Sequence, residues 1–267
     1  MEKSFIAWAA LQAAKLPQVA FGIGDDTAIL DPSPHAGLIT CDSLCEGTHF
    51  ILAQCGATSV GRKLAAVNIS DIAAMGGKPS AIFVSLCLPR DMNPSSIAQE
   101  VTAGVIEVCK DFDVALAGGD TNVWDGPLVV HATVLGYAAF GDPWRRDAAK
   151  PGDLIVVSGT LGGSILGKHL DFTPRVKLAA ALRQHVQVRA ACDISDGLST
   201  DLLNICTASR CGAQLDLAAI PCSASAHQLA QQDGKPAVDH AVSDGEDFEL
   251  LFTIPASERK QLPPQID

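Results

Sequence analysis

The pattern of apolar and polar residues along the chain predicts alternating strands and helices. Apolar runs without polar alternation cover 81–88 and 128–140 and are typical of strands buried on both faces. Helical spacing of apolar residues predicts helices over 59–75 and over 94–110, the second with Pro94 at its first position. The same reasoning predicts strands at 38–41, 114–117, 153–158, 214–217 and 248–254, and helices at 3–15, 162–170, 174–185 and 196–209. The fold class is therefore α/β, because strands and helices alternate in both halves.

The length of the chain favours two domains. Its 267 residues are too many for one ordinary core. The turn at 141–143 is the natural boundary, which gives an N-terminal domain of 1–141 and a C-terminal domain of 142–267. The residues after 255 are polar and contain Pro263-Pro264, so we expect the second domain to be incomplete at its end.

Composition and charge exclude several classes of protein. A hydrophobic fraction of 48% with 18% charged residues argues against disorder, and a formal charge of −11 argues against a nucleic-acid surface. No apolar run is long enough to span a membrane, and the first residues lack the features of a secretion signal. The nine cysteines are scattered without a C-x-x-C pair, which indicates reduced thiols and a cytoplasmic protein.

Aspartates recur next to glycines and apolar elements. The set is Asp25, Asp26, Asp42, Asp71, Asp120, Asp193 and Asp196. Alone, Asp25 and Asp26 are typical of an Asx turn, and Asp120 and Asp196 of helix caps. Asp71 lies in an otherwise apolar helical pattern, where a buried carboxylate needs a partner or a metal. Together they form a set of hard oxygen ligands that repel one another unless cations lie between them, so magnesium with a polyphosphate is the predicted occupant. Asp201, one turn into the predicted helix at 196–209, is expected to face solvent.

Two basic features bear on phosphate binding. Arg146 either lies in a surface turn or clamps a phosphate with its guanidinium group. Residues 162–168 match the phosphate loop G-x-x-x-x-G-K, but His169 replaces the hydroxyl residue that would hold magnesium. An ordinary helix start is the favoured interpretation of these glycines.

Seven motifs together resemble the thiamine-monophosphate kinase family, within the superfamily named after aminoimidazole ribonucleotide synthetase. They are Gly22-Ile23-Gly24-Asp25-Asp26, Asp42-x-x-x-Glu46-Gly47-x-His49-Phe50, Asn68-x-Ser70-Asp71-x-Ala73-Ala74-Met75-Gly76-Gly77, Gly118-Gly119-Asp120-Thr121, Arg146 with Lys150-Pro151-Gly152-Asp153, Asp193-x-Ser195-Asp196-Gly197-Leu198 and Gly245-Glu246-Asp247-Phe248-Glu249-Leu250. Each is common, but their order from residue 22 to residue 250 is specific.

The resemblance implies ATP-dependent phosphorylation of thiamine monophosphate to thiamine diphosphate, by direct in-line transfer with several magnesium ions and no acid or base residue. It implies a two-domain fold with a C-terminal α/β sandwich. It further implies a homodimer in which the N-terminal mixed sheets of two subunits close into a barrel, which would explain the apolar strands.

The resemblance also implies roles for individual residues. Asp26, Asp42, Asp71, Asp120, Asp193 and Asp196 would hold magnesium; Gly119, Asp120, Arg146 and Ser195 would contact ATP; His49 and Glu246 would face the thiamine phosphate. Two departures stand out. Cys41 occupies a position where the family usually has a hydroxyl residue, and the chain ends before the C-terminal aromatic residue that covers the thiamine rings in the family.

Two alternatives stay open at the level of sequence. One is another ATP-using enzyme of the same superfamily; selenophosphate synthetase is disfavoured because its N-terminal reactive cysteine and lysine are missing here. The other is a truncated, non-catalytic protein that binds magnesium and nucleotide.

Overall fold

The computed structural model of the chain describes residues 8, 11–12, 37–138 and 141–262, together with the backbone of 19–21 and 29–30. It divides into two compact units. Unit 1 comprises Met1–Ile72 and Lys78–Ala139, and unit 2 comprises Ala73–Gly77 and Phe140–Asp267. No helix in the described ranges is both long and apolar enough to cross a membrane.

Unit 1 is built on a mixed four-stranded sheet. Its strands are β3 (Gly37–Cys45), β4 (Lys78–Pro89), β5 (Ala115–Trp124) and β6 (Val129–Tyr137), in the order β3-β6-β4-β5. Only the β4–β5 pair is parallel. The backbone of β1 (Val19–Phe21) and β2 (Ile29–Leu30) forms a separate antiparallel pair. Along β6, buried and half-buried residues alternate, so one face of the sheet carries the core.

Two helices, α1 (Leu52–Ala74) and α2 (Pro94–Asp111), carry many of the buried side chains of unit 1 outside the sheet. They cross at two glycines. A Cβ atom added to Gly61 would lie 1.9 Å from the carbonyl oxygen of Val101, and one added to Gly104 would lie 2.0 Å from that of Thr58. Only glycine allows the two backbones to come this close. Helix α1 is also interrupted at Gly56, where φ is 75°.

Unit 2 is a three-stranded antiparallel sheet with helices. Its strands are β7 (Asp153–Val157), β8 (Ala191–Asp193) and β9 (Leu250–Pro255), in the order β7-β9-β8, and its helices are α3 (Val176–His185), α4 (Leu198–Ser209), α5 (Ala224–Asp233) and α6 (Ala237–Ser243). Phe252 and Ile254 of β9 pack in one apolar cluster with Leu182 of α3, whereas Leu251 packs in another with Leu202 of α4. The central strand is thus apolar on both faces because each face has its own core.

Most of the predicted elements are confirmed, but several boundaries and two elements are wrong. The predicted strands at 38–41 and 114–117 continue as β3 and β5 through Asp42 and Asp120. The predicted helix at 162–170 is only a short 3-10 helix, Ser164–Leu166, because glycines at 162, 163 and 167 adopt positive φ. The predicted strand at 214–217 has no strand partner; its Leu215 is apolar because it packs beside α4. Helices α5 and α6 were not predicted, and the predicted helix at 3–15 lies almost entirely outside the described residues.

A buried ionic cluster supports the segment that precedes β9. Glu249 accepts two hydrogen bonds from Arg175, at 2.6 and 2.8 Å, and one from Lys168 at 2.8 Å. Burial by itself would raise the pKa of Glu249, but the hydrogen bonds of Arg175 and the charge of Lys168 hold it below its usual value. The Ser158 hydroxyl donates a further bond at 2.5 Å, so the carboxylate is well compensated.

Asp247, two residues earlier, is less well compensated. Its side chain is fully buried, and one carboxylate oxygen accepts a hydrogen bond from the Gly162 amide at 2.8 Å. The other oxygen has no hydrogen-bond partner, and the Lys168 ammonium group lies 3.8 Å from it. Burial therefore raises the pKa of Asp247 to about 6, against the opposing effects of the Gly162 bond and the Lys168 charge.

We expect Asp247→Asn to remove a pH-dependent loss of stability. Because folding raises the pKa of Asp247, the contribution of this group is fully present below about pH 4 and is lost as the pH rises through about 6. The unfolding free energy of the wild type should therefore fall relative to that of the variant by about 2 to 3 kcal/mol between pH 4 and pH 7. Urea unfolding across this range measures the difference, with Asp239→Asn on the exposed side of α6 as the control. An unchanged difference at all pH values would contradict the assignment.

Candidate functional site

Unit 1 brings two of the predicted site residues into contact. Asp42 lies inside β3, and Asp71 lies in the last turns of α1, next to the sheet. Their carboxyl groups are close enough to share a hydrogen bond. The hydroxyl of Thr40, two residues before Asp42 on the same side of the strand, donates to Asp71 at 2.5 Å. A strand and a helix far apart in sequence thus build one acidic position.

The environment of this pair suits a cation. Burial raises the pKa of Asp42, against the hydrogen bond with Asp71 and the charges of His131 and His49, which lower it. Two adjacent carboxylates repel each other when both are ionised, and a divalent cation between them removes that repulsion. The donors are oxygen atoms, which magnesium prefers. The residues present therefore fit magnesium.

Asp120 and Gly119 lie in the interior of β5 rather than at its end. Asp120 is exposed and accepts a hydrogen bond from the Asn122 amide group at 2.7 Å. A Cβ atom on Gly119 would lie 1.9 Å from the Val84 carbonyl oxygen, so the approach of β4 and β5 requires glycine here. Asp120 is thus a strand residue and not the helix cap that its position after two glycines allows.

Two further residues singled out in unit 1 lie in β3 or just after it: Cys41 within the strand and His49 beyond its end. The ring nitrogen Nδ1 of His49 accepts a hydrogen bond from the Cys45 amide at 3.0 Å, and the His49 carbonyl accepts one from the buried Lys63 at 2.8 Å. His49 is therefore fixed in position. Cys41 is exposed, and its side chain leaves β3 on the face opposite to Asp42, because neighbouring strand residues alternate. Asp25 and Asp26 lie outside the described residues.

In unit 2, the predicted residues lie in the turn between β8 and α4. Asp193 is buried at the end of β8, Ser195 is half-buried, and Asp196 is exposed. Asp201 was expected to face solvent, but this is wrong: its side chain is only 2% exposed. One Asp201 oxygen accepts hydrogen bonds from the amides of Ser195 and Asp196 at 3.1 and 3.0 Å. The available signal for this contact was an aspartate five and six residues after two residues of a glycine-containing turn.

A second loop, residues 245–249, lies against that turn. The amide of Glu246 donates to the Ser195 carbonyl at 2.7 Å, the amide of Phe248 donates to the Ile194 carbonyl at 2.8 Å, and the amide of Ile194 donates to the Glu249 carbonyl at 2.8 Å. Glu246 and Phe248 adopt positive φ values of 61° and 50°, which non-glycine residues rarely do. Phe248 stacks on Phe172, with ring centroids 4.2 Å apart. The loop is held in a strained conformation by its neighbours.

Half-buried Glu246 faces a concave region of unit 2. A cavity of about 310 Å³ is lined by Ser164, Ile165, Leu229, His240, Asp244, Gly245 and Glu246. Its wall combines apolar side chains with carboxylates. His240 lies 3.1 Å from Asp244 and 3.4 Å from Asp233, so the histidine ring is held between two acids.

Arg146 and the 162–168 segment, the two basic features of the sequence, have different surroundings. Arg146 is exposed, and its charge reaches Asp201 and Cys192, which places it beside the 193–197 turn. Lys168, the lysine of the near phosphate loop, binds the carboxylate of Glu249 and the carbonyl of Thr160. This lysine stabilises a buried acid, which argues against a phosphate loop, and the glycines precede only the short 3-10 helix Ser164–Leu166 and not the predicted helix.

No group of three or more His, Cys, Asp or Glu side chains gathers into a metal-binding cluster within the described ranges. In unit 1, the candidate site is centred on the acidic pair Asp42–Asp71. Asp193, Ser195, Asp196 and Glu246 form a second group in unit 2.

Two family profiles match the chain. The N-terminal domain of AIR synthase related proteins matches residues 24–138, and the C-terminal domain of the same proteins matches residues 164–254. The hydrogenase maturation protein HypE of E. coli, at 19% identity and a TM-score of 0.79, shares the fold and covers 98% of this chain and 84% of its own. The two-domain mixed α/β architecture expected from the sequence is thereby confirmed.

Closer relatives are thiamine-monophosphate kinases. The protein of that name from Rhodopirellula baltica is 45% identical over 266 residues, covering 97% of this chain and 83% of its own length. The crystal structure of the Stenotrophomonas maltophilia protein superposes with a TM-score of 0.82 at 34% identity, covering 96% of this chain and 86% of the other. The structure of AaThiL complexed with AMPPCP and TMP has a TM-score of 0.78 at 29% identity, covering 88% and 81%. The chain belongs to the thiamine-monophosphate kinase family of AIR synthase related proteins.

Proposed function

We propose that this protein phosphorylates thiamine monophosphate to thiamine diphosphate with ATP as the phosphoryl donor. The single observation that carries the proposal beyond family membership is the contact between Asp42 and Asp71. Two carboxyl groups in hydrogen-bond contact, with burial raising the pKa of Asp42, form a position that attracts a cation. A family relative has been solved with AMPPCP and TMP, which supports the choice of both substrates.

We assign the acidic residues to magnesium and not to proton transfer. The ligand set is Asp26, Asp42, Asp71, Asp120, Asp193 and Asp196. Bound magnesium would neutralise the phosphate groups of both substrates. A phosphate monoester is already a nucleophile, so a side chain that removes a proton is not needed. The proposed role of these aspartates is to hold magnesium ions in fixed positions.

The remaining residues would orient the two substrates. For ATP, we assign Gly119, Asp120, Arg146 and Ser195. The exposed guanidinium group of Arg146 carries several donors for a phosphate. For thiamine monophosphate, we assign His49 and Glu246. The hydrogen bonds to Cys45 and Ser195 hold these two residues in place, which lowers the entropic cost of orienting the acceptor phosphate.

We further propose a homodimer formed through the sheet of unit 1. Ile39 of β3 is 73% exposed, and its register neighbour on β6 is Leu135. Phe83 and Tyr137 are also half-buried on strands of the same sheet. A second copy of the chain would cover these apolar side chains.

Two smaller assignments accompany this proposal. We retain the domain limits 1–141 and 142–267 for the N-terminal and C-terminal domains. We also propose a cytoplasmic location, because all nine cysteines are free thiols and the proposed donor is ATP.

The direct test is formation of thiamine diphosphate from thiamine monophosphate, ATP and magnesium. We expect product in the complete mixture and none when the metal is chelated. Product from a different phosphate acceptor, with thiamine monophosphate inactive, would indicate another enzyme of the superfamily. Metal-dependent ATP binding without any product would indicate the non-catalytic alternative.

We expect Asp71→Asn to lower kcat by at least about 100-fold, because the amide does not supply the negative charge that the cation requires. The Thr40 hydroxyl can still donate to the amide oxygen, so the unfolding temperature should change little. The matched control is Asp125→Asn, an exposed acid of unit 1 paired with Arg90. Near-normal turnover of the Asp71 variant would refute the role of this residue.

We expect Ile39→Lys to convert a dimer into a monomer, because the charge would be buried without a partner at the proposed interface. Light scattering after size exclusion should then give a mass near 27.8 kDa instead of twice that value. Leu203→Lys on α4, another exposed apolar position at 63%, serves as the control and should leave the mass unchanged. A monomeric wild type would refute the dimer.

A further inference from the structure

We propose that Asp201 is a positioning residue for the phosphoryl transfer: its carboxylate holds the 193–197 turn in the conformation that presents Ser195 and Asp196. This inference rests on the proposed function for its kinetic consequence. The structural part is independent of that function, because it concerns two hydrogen bonds within unit 2. No role was assigned to Asp201 from the family motifs.

The contact is local, buried and specific. The Asp201 side chain is 2% exposed, whereas Asp196 is exposed. One Asp201 oxygen accepts the Ser195 amide at 3.1 Å and the Asp196 amide at 3.0 Å. A hydrogen bond to a charged group contributes more to stability than one between neutral groups. Two such bonds to the consecutive amides of Ser195 and Asp196 therefore fix the backbone of the turn.

The position of Asp201 in α4 separates this role from ordinary helix capping. Gly197 is the N-cap of α4 and provides no side-chain bond. A capping carboxylate accepts amides from the first turn of its own helix. Asp201 instead lies in that first turn and reaches back to the two residues that precede Gly197. Its hydrogen bonds therefore order the turn outside the helix.

The same contact extends to the acceptor side of the proposed site. The Ser195 carbonyl, on the residue whose amide Asp201 holds, accepts the Glu246 amide at 2.7 Å. The backbones of Ile194 and the 248–249 segment add two more bonds at 2.8 Å. Movement of the 195–196 backbone would therefore move Glu246, whose φ of 61° is maintained by this packing. Asp201 thus orders residues that we assign to the binding of ATP, of magnesium and of thiamine monophosphate.

Hydrogen–deuterium exchange tests the structural step without any assumption about activity. In Asp201→Ala, we expect the amides of Ser195, Asp196 and Glu246 to exchange at least 10-fold faster than in the wild type, while those of β7 and β9 keep their protection. Leu202→Ala is the matched control, because it removes a buried side chain from the next position of α4 and leaves both hydrogen bonds intact. Equal protection of the turn in the Asp201→Ala and wild-type chains would overturn the proposal.

Kinetics test the functional step. We expect Asp201→Ala to lower kcat for thiamine diphosphate formation by about 30-fold or more and to raise the magnesium concentration required for half-maximal rate. Asp201→Asn keeps an oxygen that can accept both amides and should restore kcat to within about 3-fold of the wild type. Leu202→Ala should lose stability but retain kcat at a temperature where it is folded.

The outcomes distinguish this inference from the proposed function. A wild-type chain without kinase activity refutes the proposed function, whereas faster exchange of the Ser195 and Asp196 amides in Asp201→Ala still supports the positioning contact. An active wild type whose Asp201→Ala variant keeps full kcat refutes the positioning role. An Asp201→Asn variant with protected amides but no activity also refutes it, because the carboxylate would then act by its charge and not by holding the turn.

Discussion

Electrostatic repulsion between carboxylates is the constraint on which the proposed site depends. Asp42 and Asp71 come from a strand and a helix and approach closely enough to share a hydrogen bond. Without compensation such a contact is unfavourable, and burial of Asp42 makes it more so. The Thr40 hydroxyl satisfies part of the acidic pair from within the protein. The remaining charge suits a cation, and that requirement connects the packing of α1 on the sheet with phosphate chemistry.

In unit 2, the buried acidic side chains are compensated by other groups of the protein. Glu249 is compensated inside the protein by Arg175, Lys168 and Ser158, so it has a structural role. Asp201 is compensated by backbone amides and thereby shapes the turn that carries Ser195 and Asp196. Acidic residues of unit 2 therefore have different roles. Glu249 and Asp201 are compensated by fixed groups of the protein, whereas the exposed Asp196 remains available to a ligand. The distinction lies in the partners and not in the residue type.

Predictions from the sequence were most accurate where a long pattern of apolar residues was compatible with only one type of secondary structure. The 94–110 helix and the strands at 81–88 and 128–140 correspond to α2, β4 and β6. They were least accurate near glycines. The segment at 162–170 has apolar residues with helical spacing, but three positive-φ glycines divide it, and Lys168 binds Glu249. The spacing of residues does not reveal whether a lysine faces a phosphate or a buried carboxylate.

The sequence by itself determined the α/β class, the acidic motifs and their order, and hence the family of the chain. These properties depend on local propensity and on residue identity. Only the tertiary structure decided that Asp42 meets Asp71, that Asp201 is buried against the Ser195 and Asp196 amides, and that Gly61 and Gly104 mark a helix crossing. Such contacts join residues that are distant in sequence or depend on the direction of a side chain, and both are set by packing of the whole unit.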